Sequence, residues 1–176
     1  ACLIRNVSDN HLGGVVVPDW IAIGSQNGTV RLERAKTAGG HRVLDAGRES
    51  KAETVEVPTS TLDDWVERLG IDLRDVSFVK VDVQGSELHV LRGASRVLAC
   101  RHIAWQMEID PPLLARRGAG LDELYATVAR HFTHFVDINK HVATARVQPV
   151  AEIAARLGYV TGGTDGRTDV LLFSLA

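Results

Sequence analysis

Short apolar runs and amphipathic stretches alternate in a regular order along the second half of this chain. Phe78, Val79, Val81 and Val83 give a run of buried-strand character that carries one acid, Asp82, near its end. Gln84-Gly85-Ser86 then reads as a tight turn, and Leu88 and Leu91 as the apolar side of a helix from Ser86 that Gly93 breaks. A short helical piece through Val97 and Leu98 follows, then a strand over residues 103–109 closed by Asp110-Pro111-Pro112. Leu121, Leu124, Tyr125, Val128 and Phe132 share one helical face. Residues 135–138 read as a short strand, and Pro149 fits the first turn of a helix whose core face is Val150, Ile153, Ala154 and Leu157. Residues 170–174 form the last expected strand.

The first half is less regular. Leu3, Ile4 and Val7 have helical spacing, so the chain begins inside a helix. Residues 15–17 and 20–23 read as a strand interrupted by Pro18, and Asn27-Gly28 as a hairpin signal leading into an alternating strand over residues 29–34. Residues 35–52 are polar and glycine-rich, a long loop that includes His41. A strand resumes at residues 54–57. Thr61 is placed to cap the next helix, with Asp64 at capping-box spacing, Leu62, Trp65, Val66 and Leu69 as its apolar face and Gly70 as its stop. Strands alternating with helices from Thr54 onward predict an α/β domain: a parallel sheet with helices on both faces, in one domain over residues 1–176.

Composition narrows the function classes. Hydrophobic content of 45% and charged content of 24% are those of an ordinary globular chain. A net charge of -2 gives no electrostatic case for nucleic acid. Cys2 and Cys100 form neither a disulfide framework nor a metal-ligand spacing, which suits reduced thiols and a cytoplasmic location. No apolar run approaches the ~20 residues that span a bilayer.

Three stretches carry a family resemblance: PTSTLDDWV at residues 58–66, VKVDVQGSE at 79–87 and VLRGA at 90–94. Together they resemble the FkbM-type S-adenosylmethionine-dependent methyltransferases, whose signature runs from a Thr-rich lead into Leu-Asp, through Lys-hydrophobe-Asp-hydrophobe-Glu-Gly, to an acid and Val-Leu-x-Gly. The acid ending WQMEID and the final strand TDVLLFS follow in the family's order. Gln84 departs from it, since the family usually has Glu there. The resemblance implies a Rossmann-like sheet with an antiparallel last strand, S-adenosyl-L-methionine as cofactor, and O-methylation of a hydroxyl on a small-molecule or glycan acceptor. The family's opening strand, glycine-rich turn and ribose-holding acid have no counterpart here. The run Gly162-Gly163-Thr164-Asp165-Gly166 precedes a strand rather than opening a helix, so it does not replace them. The expectation is an N-terminally truncated domain with a β-hairpin insertion, inactive alone and prone to homo-oligomerise.

Ligands in open α/β sheets sit outside the carboxyl ends of the strands. Asp82 lies at such an end and is either a turn or capping acid or a site residue; the resemblance favours the site. Asp82 and Glu108 are the catalytic candidates, Glu108 as an acceptor-side base or orienting group. Asp19, Ala22, Ile23, Asp82 and Gln84 are the cofactor-side candidates, because the strand holding Ala22 and Ile23 borders the adenine in the family. Glu87 fits a favourable place against the dipole of the helix it begins. Lys80 and Asp82 share one side of their strand, as a salt link would need. An Asp82/Glu108/Asp110 metal site lacks diagnostic spacing. His89, His102, His131 and His134 read as surface residues, and Trp20, Trp65 and Trp105 as core. The competing readings are a non-catalytic Rossmann-like binding or remnant domain, and a nicotinamide oxidoreductase, for which no dinucleotide fingerprint exists.

Overall fold

The computed structural model describes residues 2–34, 42–44, 52–138, 145–161 and 166–175. Most of the expected long loop, with His41, and residues 162–165 of the glycine-rich run lie outside the described residues. The chain runs α1 (Cys2–Asp9), β1 (Ala22–Ile23), β2 (Gly28–Glu33), β3 (Arg42–Val43), β4 (Thr54–Ser60), α2 (Leu62–Arg68), β5 (Phe78–Val81), α3 (Glu87–Arg92), α4 (Ser95–Ala99), β6 (Ala104–Ile109), α5 (Pro111–Arg116), α6 (Leu121–His131), β7 (His134–Asp137), β8 (Gln148–Pro149), α7 (Ile153–Arg156) and β9 (Thr168–Phe173).

The strands make two sheets rather than one. The larger is five-stranded in the order β5-β6-β9-β7-β8. β5 and β6 pair in parallel, while β9 runs antiparallel to both β6 and β7, so the expected parallel sheet is mixed and its last strand reverses. Its core face is continuous across the register: Trp105 faces Leu172, Met107 faces Val170, and Phe135 faces Leu172 from the other side, all buried. The opposite face, with Lys80, Gln106, Glu108 and Asp169, is half-buried to exposed. The outer edge of β5 has no strand partner among the described residues.

The smaller sheet has the order β1-β4-β2-β3. The Asn27-Gly28 signal therefore does not close a two-stranded hairpin: β4 enters between β1 and β2, parallel to the first and antiparallel to the second. Tertiary contacts override the local turn signal because Asn27 is bound elsewhere. Its Oδ1 accepts from the Thr61 backbone N–H at 3.1 Å and its Nδ2 donates to Asp64 Oδ2 at 2.7 Å. Thr61 Oγ1 accepts from the Asp64 N–H at 3.0 Å as expected of an N-cap. The return half of the capping box thus runs through the Asn27 amide. At the other end of α2, Gly70 takes a left-handed φ of 64°, and the Gly70 and Ile71 N–H groups donate to Glu67 and Val66, the Schellman arrangement.

Asp63 joins the two halves. Its carboxylate accepts from Ser95 Oγ and the Arg96 N–H at 2.8 Å each and from the Val97 N–H at 3.1 Å. It caps α4, whose own N-cap residue, Ala94, offers no side-chain bond. Beside it the chain ending α3 passes so close to the smaller sheet that a Cβ on Gly93 would collide with the Gly24 carbonyl oxygen.

Some expected core positions differ. Val15 and Val17 form no strand and, with Trp20, are exposed, and Ala154 is exposed where Val160 completes the α7 face. Trp105 is buried and Trp65 packs partly buried against the core. Pro149 ends a short strand and caps a one-turn helix instead of lying within the first turn of α7.

Gly93→Ala should lower stability by about 1–3 kcal/mol, the usual cost of overpacking, whereas Gly13→Ala, with open space around its Cβ, should change it little. Urea unfolding followed by circular dichroism checks the pair; equal midpoints would mean the Gly93–Gly24 approach is not tight.

Candidate functional site

The turn after β5 is squeezed from two sides. Gly85 (φ 94°) lies against α5, where a Cβ would collide with the Leu113 carbonyl, and Gln84 before it is a non-glycine residue in the left-handed region at φ 53°. Backbone of this kind persists only where surroundings over-determine it. Glu87 supplies that constraint. It is 1% exposed, and its Oε1 accepts from the Gly85 N–H at 3.1 Å and the Val83 N–H at 3.3 Å. Its second oxygen, Oε2, is buried without a hydrogen-bond partner. Burial pushes its pKa up, against the lowering effect of the backbone N–H groups. Glu87 therefore holds the turn from inside, a stronger role than the dipole contact expected of it.

The turn presents Asp82 and Gln84 outward. Asp82 is 43% exposed at its side chain and accepts from Lys80 Nζ at 3.1 Å, the expected salt link. The Gln84 amide nitrogen donates to Asp82 Oδ1 at 3.3 Å and to Glu108 Oε2 at 3.4 Å, so one neutral side chain joins the two carboxylates. Glu108, only 12% exposed at its side chain, faces Arg167 Nη1 at 3.8 Å. Burial and then the Asp82 charge raise its pKa, with Arg167 acting against them. Its cross-strand neighbour Asp169 accepts from the Gln106 amide at 3.3 Å. Further along the same strand ends, Thr168 Oγ1 donates to Asp137 at 2.7 Å, and the Tyr159 hydroxyl also bonds Asp137.

A cleft of about 680 Å³ opens on the other side of this turn. Ala22, Ile23 and Gly24 line it together with Thr29, Arg31, Glu56, Ser86, His89 and Arg117. Three groupings of the expected site residues follow. Asp82, Gln84 and Glu108 are in one hydrogen-bonded row. Ala22 and Ile23 are in the cleft. Asp19 joins neither: its carboxylate accepts from Trp65 Nε1 at 2.8 Å and faces Arg68 at 3.5 Å, which ties the chain to α2. Asp110 is bound as the N-cap of α5, accepting from the Leu113 N–H at 3.0 Å. Among the described residues no group of three or more His, Cys, Asp or Glu could hold a metal ion. His89 lines the cleft rather than the open surface, and His134 stacks on Phe173. Ser86 and Arg117 were not marked by the sequence. Arg117 reaches the site only because α5 folds back on the turn, donating to Ser86 Oγ at 3.3 Å and to the Val43 carbonyl at 3.2 Å.

Glu87 yields two outcomes. Glu87→Leu strands the Val83 and Gly85 N–H groups and should cost about 1–3 kcal/mol for each. Glu87→Gln keeps the acceptor and removes the titration. Because the folded carboxyl binds its proton more tightly than the unfolded one, the wild type loses stability as pH rises from the ordinary carboxylate range through the raised folded value. Glu87→Gln should flatten that slope, as read from denaturant midpoints across a pH series.

No curated protein and no solved structure matches the chain. The family described as the methyltransferase FkbM domain matches residues 15–144, which include the smaller sheet, β5 to β7 of the larger one, the Asp82 turn and Glu108. The chain belongs to the FkbM methyltransferase family.

Proposed function

We propose that the protein transfers a methyl group from S-adenosyl-L-methionine to a hydroxyl of a small-molecule or glycan acceptor. The observation that carries this reading is the Asp82–Gln84–Glu108 row: an exposed acid and a half-buried, proton-avid acid held together where β5 and β6 end. When bound, the cofactor supplies an electrophilic methyl carbon on a positively charged sulfur. Asp82 is the residue suited to that positive charge, and Ala22 and Ile23 offer the apolar wall an adenine needs. Asp19, engaged by Trp65, has no part in this assignment.

Methyl transfer is an in-line displacement, so positioning of the hydroxyl supplies much of the rate. The chain's own part is to hold the acceptor oxygen in line with the methyl carbon that bound S-adenosylmethionine would supply, the sulfur keeping the electron pair of the bond it gives up. The hydroxyl proton goes to Glu108. A raised pKa suits that role, since a base works best with a pKa near the operating pH. Gln84 keeps the two carboxylates at a fixed separation without adding a third charge.

Asp82→Asn should lower turnover by on the order of 10²-fold and leave the melting temperature almost unchanged, because the side chain is exposed. The Asp82 charge raises the Glu108 pKa, so its removal should also move the acid limb of the pH–rate profile to lower pH. Transfer of labelled methyl groups to a panel of hydroxylated acceptors reads both effects. Failure to bind S-adenosylmethionine near millimolar concentration in calorimetry, by the chain joined to the family's opening strand and glycine-rich turn, would defeat the proposal.

A further inference from the structure

Asn27-Gly28 is the only Asn-Gly pair in the chain, and the fold has a use for both members. Gly28 opens β2 at a φ of 149°, a backbone conformation that residues with side chains rarely adopt. Asn27 is exposed, yet both ends of its amide are engaged. Oδ1 accepts from the Thr61 N–H at 3.1 Å, and Nδ2 donates to Asp64 Oδ2 at 2.7 Å. Only one orientation of the amide fits, since an N–H must meet an acceptor and a carboxylate must meet a donor. Thr61 and then Asn27 hold the Asp64 carboxyl below the usual carboxylate range, so it is charged at neutral pH. Position 27 therefore suits an amide and opposes an acid. An asparagine followed by glycine is also the pair in which the next backbone nitrogen most easily attacks the side-chain amide, because no Cβ shields that nitrogen.

We infer that Asn27 is a deamidation site gated by its bonds to the first turn of α2, and that its modification keeps the gate open. While both bonds hold, the amide is pinned to α2 and does not swing freely to meet the Gly28 nitrogen. When this turn opens locally, the Gly28 nitrogen gives up its proton and bonds to Asn27 Cγ. The Cγ–Nδ2 bond breaks, and Nδ2 leaves with a proton as ammonia. Water then opens the resulting ring, leaving an aspartyl or isoaspartyl residue at position 27. Either product sets a second carboxylate against Asp64 where a donor stood, and like charges at that spacing repel. The isoaspartyl form also lengthens the main chain by one carbon just before the Gly28–Thr59 pair of β2 and β4. The connection between β1 and β2 is thereby released from α2. This inference does not depend on the methyl-transfer reading.

The test incubates the unaltered chain in mildly alkaline buffer, folded and in concentrated urea. Peptide mass spectrometry reads the small mass gain at position 27 that replacing an amide by an acid gives. Deamidation should run about tenfold or more slowly in the folded chain, because there it waits for local opening. Asp64→Ala removes the Nδ2 partner and should speed the reaction several-fold in the folded chain. Asn27→Asp supplies the product directly and should lower the melting temperature by a few degrees. Adding Asp64→Asn to it again sets an amide against a carboxylate, with the two exchanged, and should recover most of that loss. Should Asp64→Ala fail to fold, the exchanged pair decides. Equal rates in the folded chain and in urea, or an unchanged rate in folded Asp64→Ala, overturns the proposal. So does a melting temperature that Asn27→Asp leaves unmoved or that Asp64→Asn does not restore.

Discussion

The buried carboxylate of Glu87 is the constraint on which the site depends. The chain must turn between β5 and α3 within a few residues while α5 presses on the turn at Gly85. That geometry leaves the Val83 and Gly85 N–H groups without ladder or helix partners, and an unmet buried donor costs about 1–3 kcal/mol. One carboxylate oxygen meets both. The cost is a desolvated acid, visible in its raised proton affinity and in the partnerless second oxygen. With the turn fixed from inside, its outer residues are placed as well: Gln84 toward the strand ends and Ser86 toward the cleft.

The acids of the family signature therefore divide by the direction they face. Asp63 points inward and caps α4 across the gap between the sheets. Glu87 points inward and holds the turn. Asp82 points outward, and its bonds to Lys80 and Gln84 are between exposed groups that a ligand can rearrange at small cost. Glu108 is intermediate, reached from solvent yet desolvated enough that its pKa is raised. Conformity to one linear pattern thus hides two tasks, building the frame and facing the ligand.

Local features were legible where a local force decides them. The Thr61 cap, the Gly70 stop, the α6 face and the strand ending at Ile109 all follow from spacing, because each is settled by neighbours in the chain. What the sequence did not reveal depends on contacts between distant residues. Asn27-Gly28 carries a hairpin signal, but the Asn27 amide is taken by Thr61 and Asp64, and β4 enters where the partner strand was expected. Asp19 has the look of a site acid until Trp65, 46 residues away, donates to it. Arg117 has no local mark at all, since only the return of α5 over the turn brings it to Ser86. Mixed strand direction was likewise readable only for β9, and there through the family resemblance rather than through periodicity.

The departure at Gln84 acquires a physical meaning from this geometry. Its amide nitrogen stands between Asp82 and Glu108 and donates to both. A glutamate with the same reach would set a third carboxylate within about the same distance of the other two, and like charges at ~4 Å repel by about 4 kcal/mol at an effective dielectric constant near 20. Such a cluster would relieve itself by taking up a proton, by turning a side chain outward or by recruiting a cation. The glutamine avoids all three: it links the acids as a donor and leaves Glu108 as the group whose proton affinity is raised. A chain that keeps the family's Asp while neutralising the next outward residue has therefore changed how the acid row is balanced without dismantling it, and Lys80 and Arg167 at its two ends complete that balance.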